Sequence, residues 1–136
     1  MILGLGSDIV SMERIQKTIE KFGSRFECRV FSKTERELAW KRGSPCFRTY
    51  SSRWASKEAF LKALGTGIIR GISWKDIRVE KLPSGKPILL VKGGAKNYLD
   101  KKKPLDSEAV LHLTISDDIP WVSATVIIEA RRSLLK

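Results

Sequence analysis

The stretch Ile2-Leu3-Gly4-Leu5-Gly6-Ser7-Asp8-Ile9-Val10 constrains this fold more than any other. Its alternation reads as a strand with Ile2, Gly4, Gly6 and Asp8 on one face and Leu3, Leu5, Ser7 and Ile9 on the other. Two glycines along one face carry no side chains, so another backbone can come close to the strand there. Whatever packs on that face ends beside Asp8.

The segment RWASKEAFLKALGTG, residues 53–67, is the natural partner: an amphipathic helix closed by Gly65. Trp54, Glu58, Lys62 and Gly65 are spaced four, four and three residues apart and share one side, while Lys57, Leu61 and Leu64 lie on another. Taken alone, Glu58 and Lys62 read as an i,i+4 surface pair worth a few tenths of a kcal/mol. If the helix packs over Gly4 and Gly6, however, Asp8 and Glu58 meet at the end of the sheet with Lys62 one turn on. Two carboxylates so placed repel, and a hard divalent cation is the usual remedy. Mg²⁺ suits them, since it takes one or two carboxylates, keeps several waters and completes its shell with substrate phosphate. A strand-end cap is the plainer alternative for Asp8.

Local signals order the rest. Ser11 is an N-cap for a helix to about Phe22, where Gly23 stops it. Met12, Ile15, Ile19 and Phe22 form its apolar stripe, and Arg14, Lys17, Lys21 and Arg25 a basic ridge on another side. Ser32-Lys33-Thr34-Glu35 resembles a capping box opening a second short helix within residues 26–40, followed by a loop over 41–46. Residues 76–82 and 86–92 read as a hairpin around Leu82-Pro83-Ser84-Gly85. A helical turn over 94–102 precedes closing strands at 108–116 and 121–130, joined by Asp117-Asp118-Ile119-Pro120. The expected architecture is one α+β domain over 1–136, an antiparallel sheet packed against a long central helix.

A formal net charge of +11 predicts attraction to an anionic partner: nucleic acid, membrane headgroups, an acidic protein or a polyphosphate. No apolar run approaches the roughly 20 residues of a membrane span, and the apolar start lacks a basic leader and a cleavage site, so no membrane association and a cytoplasmic location are expected. Cys28 and Cys46 form no C-x-x-C pair and stand in no His/Cys cluster. They read as reduced, partly buried thiols, neither a disulfide nor a zinc site.

Several of these segments match a known pattern. Gly6-Ser7-Asp8-Ile9-Val10 with Arg14-Ile15, Arg25-Phe26 through Arg29-Val30-Phe31, Arg53-Trp54-Ala55-Ser56-Lys57-Glu58-Ala59 continuing to Lys62-Ala63-Leu64-Gly65-Thr66-Gly67, Gly85-Lys86-Pro87 and Leu113-Thr114-Ile115-Ser116 run nearly end to end. In them the chain resembles the small bacterial 4'-phosphopantetheinyl transferases that act on acyl carrier proteins. The long helix motif is the most specific part.

The resemblance implies transfer of the 4'-phosphopantetheine arm of coenzyme A to a serine of apo-acyl carrier protein, releasing 3',5'-ADP and serving fatty acid biosynthesis. It implies Mg²⁺ held by Asp8 and Glu58, and Lys62 on a phosphate oxygen. Arg53 and Lys86 are implied at the 3'-phosphate and adenine end, Lys86 from a neighbouring subunit of a homotrimer. Gly65 and Thr66, with Gly85 and Pro87, are implied to lie along the co-substrate; a helix cap and a hairpin turn are their plain alternatives. Arg14, Lys21 and Arg25 are implied to dock the acidic carrier protein, Lys17 reading as merely solvated. The proton acceptor stays open between Glu58 and a metal-bound water. At position 117 the family commonly has histidine and this chain has Asp117, either an outer-shell group of the metal or dispensable. His112, the only histidine, reads either as a site residue or as a hydrogen-bonded strand residue.

Two other readings compete. A basic α+β nucleic-acid-binding module explains the charge and the interleaved Trp and Phe but leaves Asp8 and Glu58 without a role. A Mg²⁺-dependent nuclease would want a third acidic ligand near the pair.

Overall fold

The computed structural model describes residues 1–134. Strand β1 (Ile2–Ser11) leads into α1 (Met12–Phe22), α2 (Ser24–Val30), α3 (Lys33–Ala39) and the long α4 (Phe47–Leu64). A 3-10 turn at Trp74–Asp76 precedes the hairpin β2 (Ile77–Lys81) and β3 (Pro87–Val91); α5 (Gly93–Lys102), β4 (Ser107–Asp118) and β5 (Trp121–Arg132) follow. The main sheet has the antiparallel order β1-β5-β4, and the hairpin is a separate two-stranded sheet.

One face of the main sheet is built to receive α4. Gly4, Gly6 and Asp8 of β1 stand opposite Ile128, Val126 and Ala124 of β5, which in turn stand opposite Leu111, Leu113 and Ile115 of β4. A Cβ added at Gly4 would lie 1.9 Å from the Ala63 carbonyl oxygen, and one at Gly6 2.1 Å from that of Ala59. The helix backbone therefore rests on the glycine backbone of β1. Ala55, Ala59 and Ala63, four residues apart and buried, supply the small surface that makes this approach possible. Val122, Val126 and Ile128 are fully buried against the same helix, each contributing about 1.5–3 kcal/mol of apolar burial.

Capping sets the helix bounds. The Ser11 hydroxyl accepts the Glu13 amide, and Gly23, at φ 58°, ends α1 as its sequence predicts. Ser32 and Glu35 complete the expected capping box of α3. Between them lies a helix the spacing did not disclose: α2 starts directly after Gly23, so Arg25 belongs to α2 and the basic ridge spans two helices. Phe22, expected in the apolar stripe, is half exposed, and both cysteine residues are exposed where partial burial was expected.

A buried ion pair anchors the back of α4. Lys57 is fully buried, and its ammonium donates to Glu35 Oε1 (2.8 Å), the Ile77 carbonyl (2.6 Å) and the Trp74 carbonyl (3.3 Å). Glu35 also accepts the amides of Ser32 (2.9 Å) and Val79 (3.0 Å). Burial alone pushes the Lys57 pKa down, and the neighbouring carboxylate opposes it. With every polar atom of the pair engaged, the desolvation cost of the charges is offset, and α3, α4 and β2 are joined at one point.

Candidate active site

Close packing of α4 on β1 brings the two expected carboxylates together. Asp8 lies on the inner face of β1, two residues beyond Gly6, its side chain 16 % exposed. From α4, Lys62 reaches Asp8 Oδ1 at 3.2 Å and the Ser7 carbonyl at 3.0 Å. The ammonium of Lys62 thus crosses to β1, and no i,i+4 ion pair with Glu58 forms among the described residues. Glu58, one turn earlier, is half-buried. Burial raises its carboxyl pKa first and the charge of Asp8 raises it further, with Lys62 and Arg14 opposing. Arg14 on α1 therefore belongs to the electrostatic surroundings of the carboxylates.

No hydrogen bond reaches Glu58 from the described residues, so its oxygens are free to ligate. No group of three or more His, Cys, Asp or Glu is gathered anywhere among the described residues. Two carboxylates without imidazole or thiolate fit an ion that draws most of its shell from water and phosphate, as Mg²⁺ does, and do not fit zinc.

About 420 Å³ of open space lies between the N-terminal half of α4, the β2–β3 hairpin and the end of β4, where Ile115 is two strands across the sheet from Asp8. Arg53 lines it, only 4 % exposed, with Nη1 donating to Ser52 Oγ at 3.0 Å and Nε without a partner. Burial pushes the Arg53 pKa down, opposed by Glu35. Gly85 and Pro87 line the same space; Gly85, at φ 90°, makes the hairpin turn possible. Lys86 is exposed on that turn, and Lys81, which the sequence reading did not single out, lines the cavity. Gly65 caps α4 in the left-handed conformation at φ 85°, its amide and that of Thr66 returning to the Leu61 carbonyl at 2.9 and 3.3 Å. Lys102 of α5 donates to the Leu64 carbonyl at 2.9 Å, a second and unforeseen cap.

Two residues left open by the sequence find definite partners. Asp117 accepts two hydrogen bonds from Arg48, Nε to Oδ2 at 2.9 Å and Nη2 to Oδ1 at 2.8 Å, and lines the cavity with Arg53. His112 lies on the outer sheet face, opposite to that of Asp8, with Nε2 2.9 Å from Glu129 Oε1. It is a hydrogen-bonded strand residue, turned away from the carboxylates.

The basic ridge is present but broader than expected. Arg14, Lys17 and Lys21 are exposed on α1, and Arg25 and Arg29 on α2. Between the two helices opens an apolar cavity of about 440 Å³ lined by Thr18, Phe22, Arg25, Phe26 and Arg29. Lys21 stands 5.2 Å from the Phe22 ring centre. Phe22, expected in the apolar stripe, instead lines this cavity, and Arg29, expected only as part of the family motif, extends the basic ridge; an aromatic residue within a basic ridge was the available signal.

Residues 4–116 match the family model of the 4'-phosphopantetheinyl transferase superfamily, and the chain belongs to that superfamily. It is 49% identical over 131 residues to the holo-[acyl-carrier-protein] synthase of Ruegeria sp. (strain TM1040), covering 96% of this chain and 92% of that one. The enzyme of the same name from Erythrobacter litoralis is 51% identical over 132 residues, covering 97% and 99%. Among solved structures, the synthase from Neisseria meningitidis superposes with a TM-score of 0.81 at 32% identity, covering 95% of this chain and 99% of that one. The Bacillus anthracis synthase in complex with CoA (3',5'-ADP) gives 0.76 at 34% identity, covering 96% and 99%. Within the superfamily, this chain is an enzyme of the holo-[acyl-carrier-protein] synthase type.

Proposed function

We propose that this chain moves the 4'-phosphopantetheine group of coenzyme A onto a serine of apo-acyl carrier protein in a Mg²⁺-dependent reaction, in the cytoplasm and in the service of fatty acid biosynthesis. The observation that carries this reading is the meeting of Asp8, Glu58 and Lys62, two carboxylates and a lysine ammonium where α4 rests on β1.

In the reaction the serine Oγ bonds to the phosphorus of the arm, the bond from that phosphorus to the ADP oxygen breaks, and the serine proton leaves. Asp8 and Glu58 would hold Mg²⁺. When bound, that ion supplies charge neutralisation on the pyrophosphate. Lys62, already aimed at Asp8, is placed for a phosphate oxygen, so the chain contributes positioning and electrostatic stabilisation. Among the chain's own residues, Glu58, with its raised pKa and free oxygens, is the one placed to accept the serine proton. Arg53 and the hairpin residues Gly85, Lys86 and Pro87 receive the nucleotide end, and Gly65 and Thr66 let the backbone approach it.

Arg14, Lys21 and Arg25 dock the acidic carrier protein, with Phe22 supplying an apolar contact beside them. Such rim charges act mainly on the association rate. Self-association is supported by the outer face of the main sheet, where Leu5, Ile9 and Trp121 are 66%, 62% and 52% exposed, and the family resemblance makes the assembly a homotrimer. Among the described residues no helix is long and apolar enough to cross a membrane.

The test is the intact mass of apo-acyl carrier protein after incubation with this protein, coenzyme A and Mg²⁺, with a chelator control. A gain of one phosphopantetheine arm, only with metal, is expected. No gain with folded protein would overturn the reading and make nucleic-acid binding the next assay.

A further inference from the structure

The cavity beside Arg53 holds a pair that the reading above leaves without a task. Arg48 and Asp117 are 69 residues apart in sequence and joined by two parallel hydrogen bonds of 2.9 and 2.8 Å. The Arg48 side chain is 59% exposed. An exposed ion pair contributes about 0–1 kcal/mol to stability, so stability is a weak reason for the contact. What the fork geometry does provide is orientation: a long, otherwise mobile side chain is held in one position.

That position is at the wall of an anion-receiving space. Arg53, 96% buried on its 4% exposure, carries a buried Nε with no partner, and Lys81 lines the same space. Asp117 is the only acid among the lining residues, and Arg48 occupies both its oxygens. The guanidinium uses Nε and one Nη2 hydrogen on Asp117, so three of its five N–H donors remain for another acceptor.

We propose that Asp117 is a positioning residue that holds the Arg48 guanidinium at this cavity, where Arg48 joins Arg53 in recognising the phosphate on the ribose 3' position of the nucleotide. This rests on the transferase reading and adds to it the residues that select a 3'-phosphorylated nucleotide over one lacking that group. It also accounts for an acid in a cavity otherwise suited to anions: the charge of Asp117 is neutralised, and what it contributes is the direction of Arg48.

The test is calorimetric titration of 3',5'-ADP and of 5'-AMP into the wild-type protein and into Arg48→Ala, Asp117→Asn, Asp117→Glu and the double variant Arg48→Ala/Asp117→Asn. Folding is checked by thermal melting, which these exposed sites should leave nearly unchanged. The wild type is expected to prefer 3',5'-ADP. Arg48→Ala should weaken 3',5'-ADP about tenfold while moving 5'-AMP less than about twofold, the loss of a charge-assisted contact to one phosphate. Asp117→Asn should weaken 3',5'-ADP about threefold, Asp117→Glu should restore part of that loss, and the second substitution should cost nothing further once Arg48 is gone. Tighter 3',5'-ADP binding by Asp117→Asn would make the acid a competitor of the phosphate and overturn the proposal. An unchanged preference in Arg48→Ala would overturn it too, with the transferase reading intact. A wild type that binds neither nucleotide and transfers nothing would overturn both.

Discussion

Lys62 of α4 and Asp8 of β1 are 54 residues apart in sequence and 3.2 Å apart in space, joined across the seam where Ala59 and Ala63 rest on Gly4 and Gly6. The contact depends on the absence of side chains below it. Gly6→Ala would place a Cβ 2.1 Å from the Ala59 oxygen and 2.6 Å from the Ala63 nitrogen, both backbone atoms. The helix must lift, and we expect a loss of about 2–3 kcal/mol in urea unfolding together with reduced transferase activity. A loss below about 0.5 kcal/mol would show that the seam yields more easily than its geometry implies.

Glu58 links stability to pH in the metal-free protein. Its folded-state pKa is raised, first by burial and then by Asp8, so the folded state holds its proton more tightly than the unfolded chain. Stability should therefore fall as pH rises from the ordinary glutamate value through the raised one. Melting temperatures measured in chelator from about pH 4 to about pH 7 should show this descent in wild type and a flatter profile in Glu58→Gln. Mg²⁺ should raise the wild-type melting temperature and leave that of Glu58→Gln nearly unmoved, while the variant loses Mg²⁺-dependent turnover. Near-normal turnover would remove Glu58 from the metal.

Lys57 faces the opposite demand from its neighbour Glu58. Lys57→Met leaves the buried Glu35 carboxylate with only the Ser32 and Val79 amides, and should cost about 3–5 kcal/mol in chemical denaturation. Adding Glu35→Leu should cost clearly less than the sum of the two single changes, because the stranded charge has gone. Strict additivity would mean that the two groups act independently.

The basic surface should divide into two functions. Lys21→Glu is expected to raise KM for acyl carrier protein several-fold, to leave KM for coenzyme A within about twofold, and to reduce the salt sensitivity of association. Arg14→Glu should do the same and also lower the Mg²⁺ requirement, since it replaces a cation in the electrostatic surroundings of Glu58 by an anion. Identical behaviour of the two variants would separate Arg14 from the carboxylates.

What the sequence by itself determined is what a few neighbouring residues can decide. The period-two face of β1, the Ser11 cap and Gly23 stop of α1, the Ser32–Glu35 capping box and the Pro83–Gly85 turn are all visible in short windows, because their hydrogen bonds close within a few residues. The family motif in α4, and the inference from Gly4 and Gly6 that a backbone approaches Asp8, rest on the same local logic.

Tertiary structure decided which of the three charges Lys57, Glu58 and Lys62 on α4 does what. Spacing separates Lys57 from Glu58 and Lys62 by helical rotation but does not say which side meets solvent. Lys57 is buried because Glu35 and the carbonyls of Trp74 and Ile77 converge on it from other elements. Asp117, which the sequence left open, has its place through Arg48, and Arg25 and Phe22 take theirs from the turn at Gly23 that starts α2. Such partners are far apart along the chain, and their meeting depends on how the helices pack on the sheet, which no local pattern encodes.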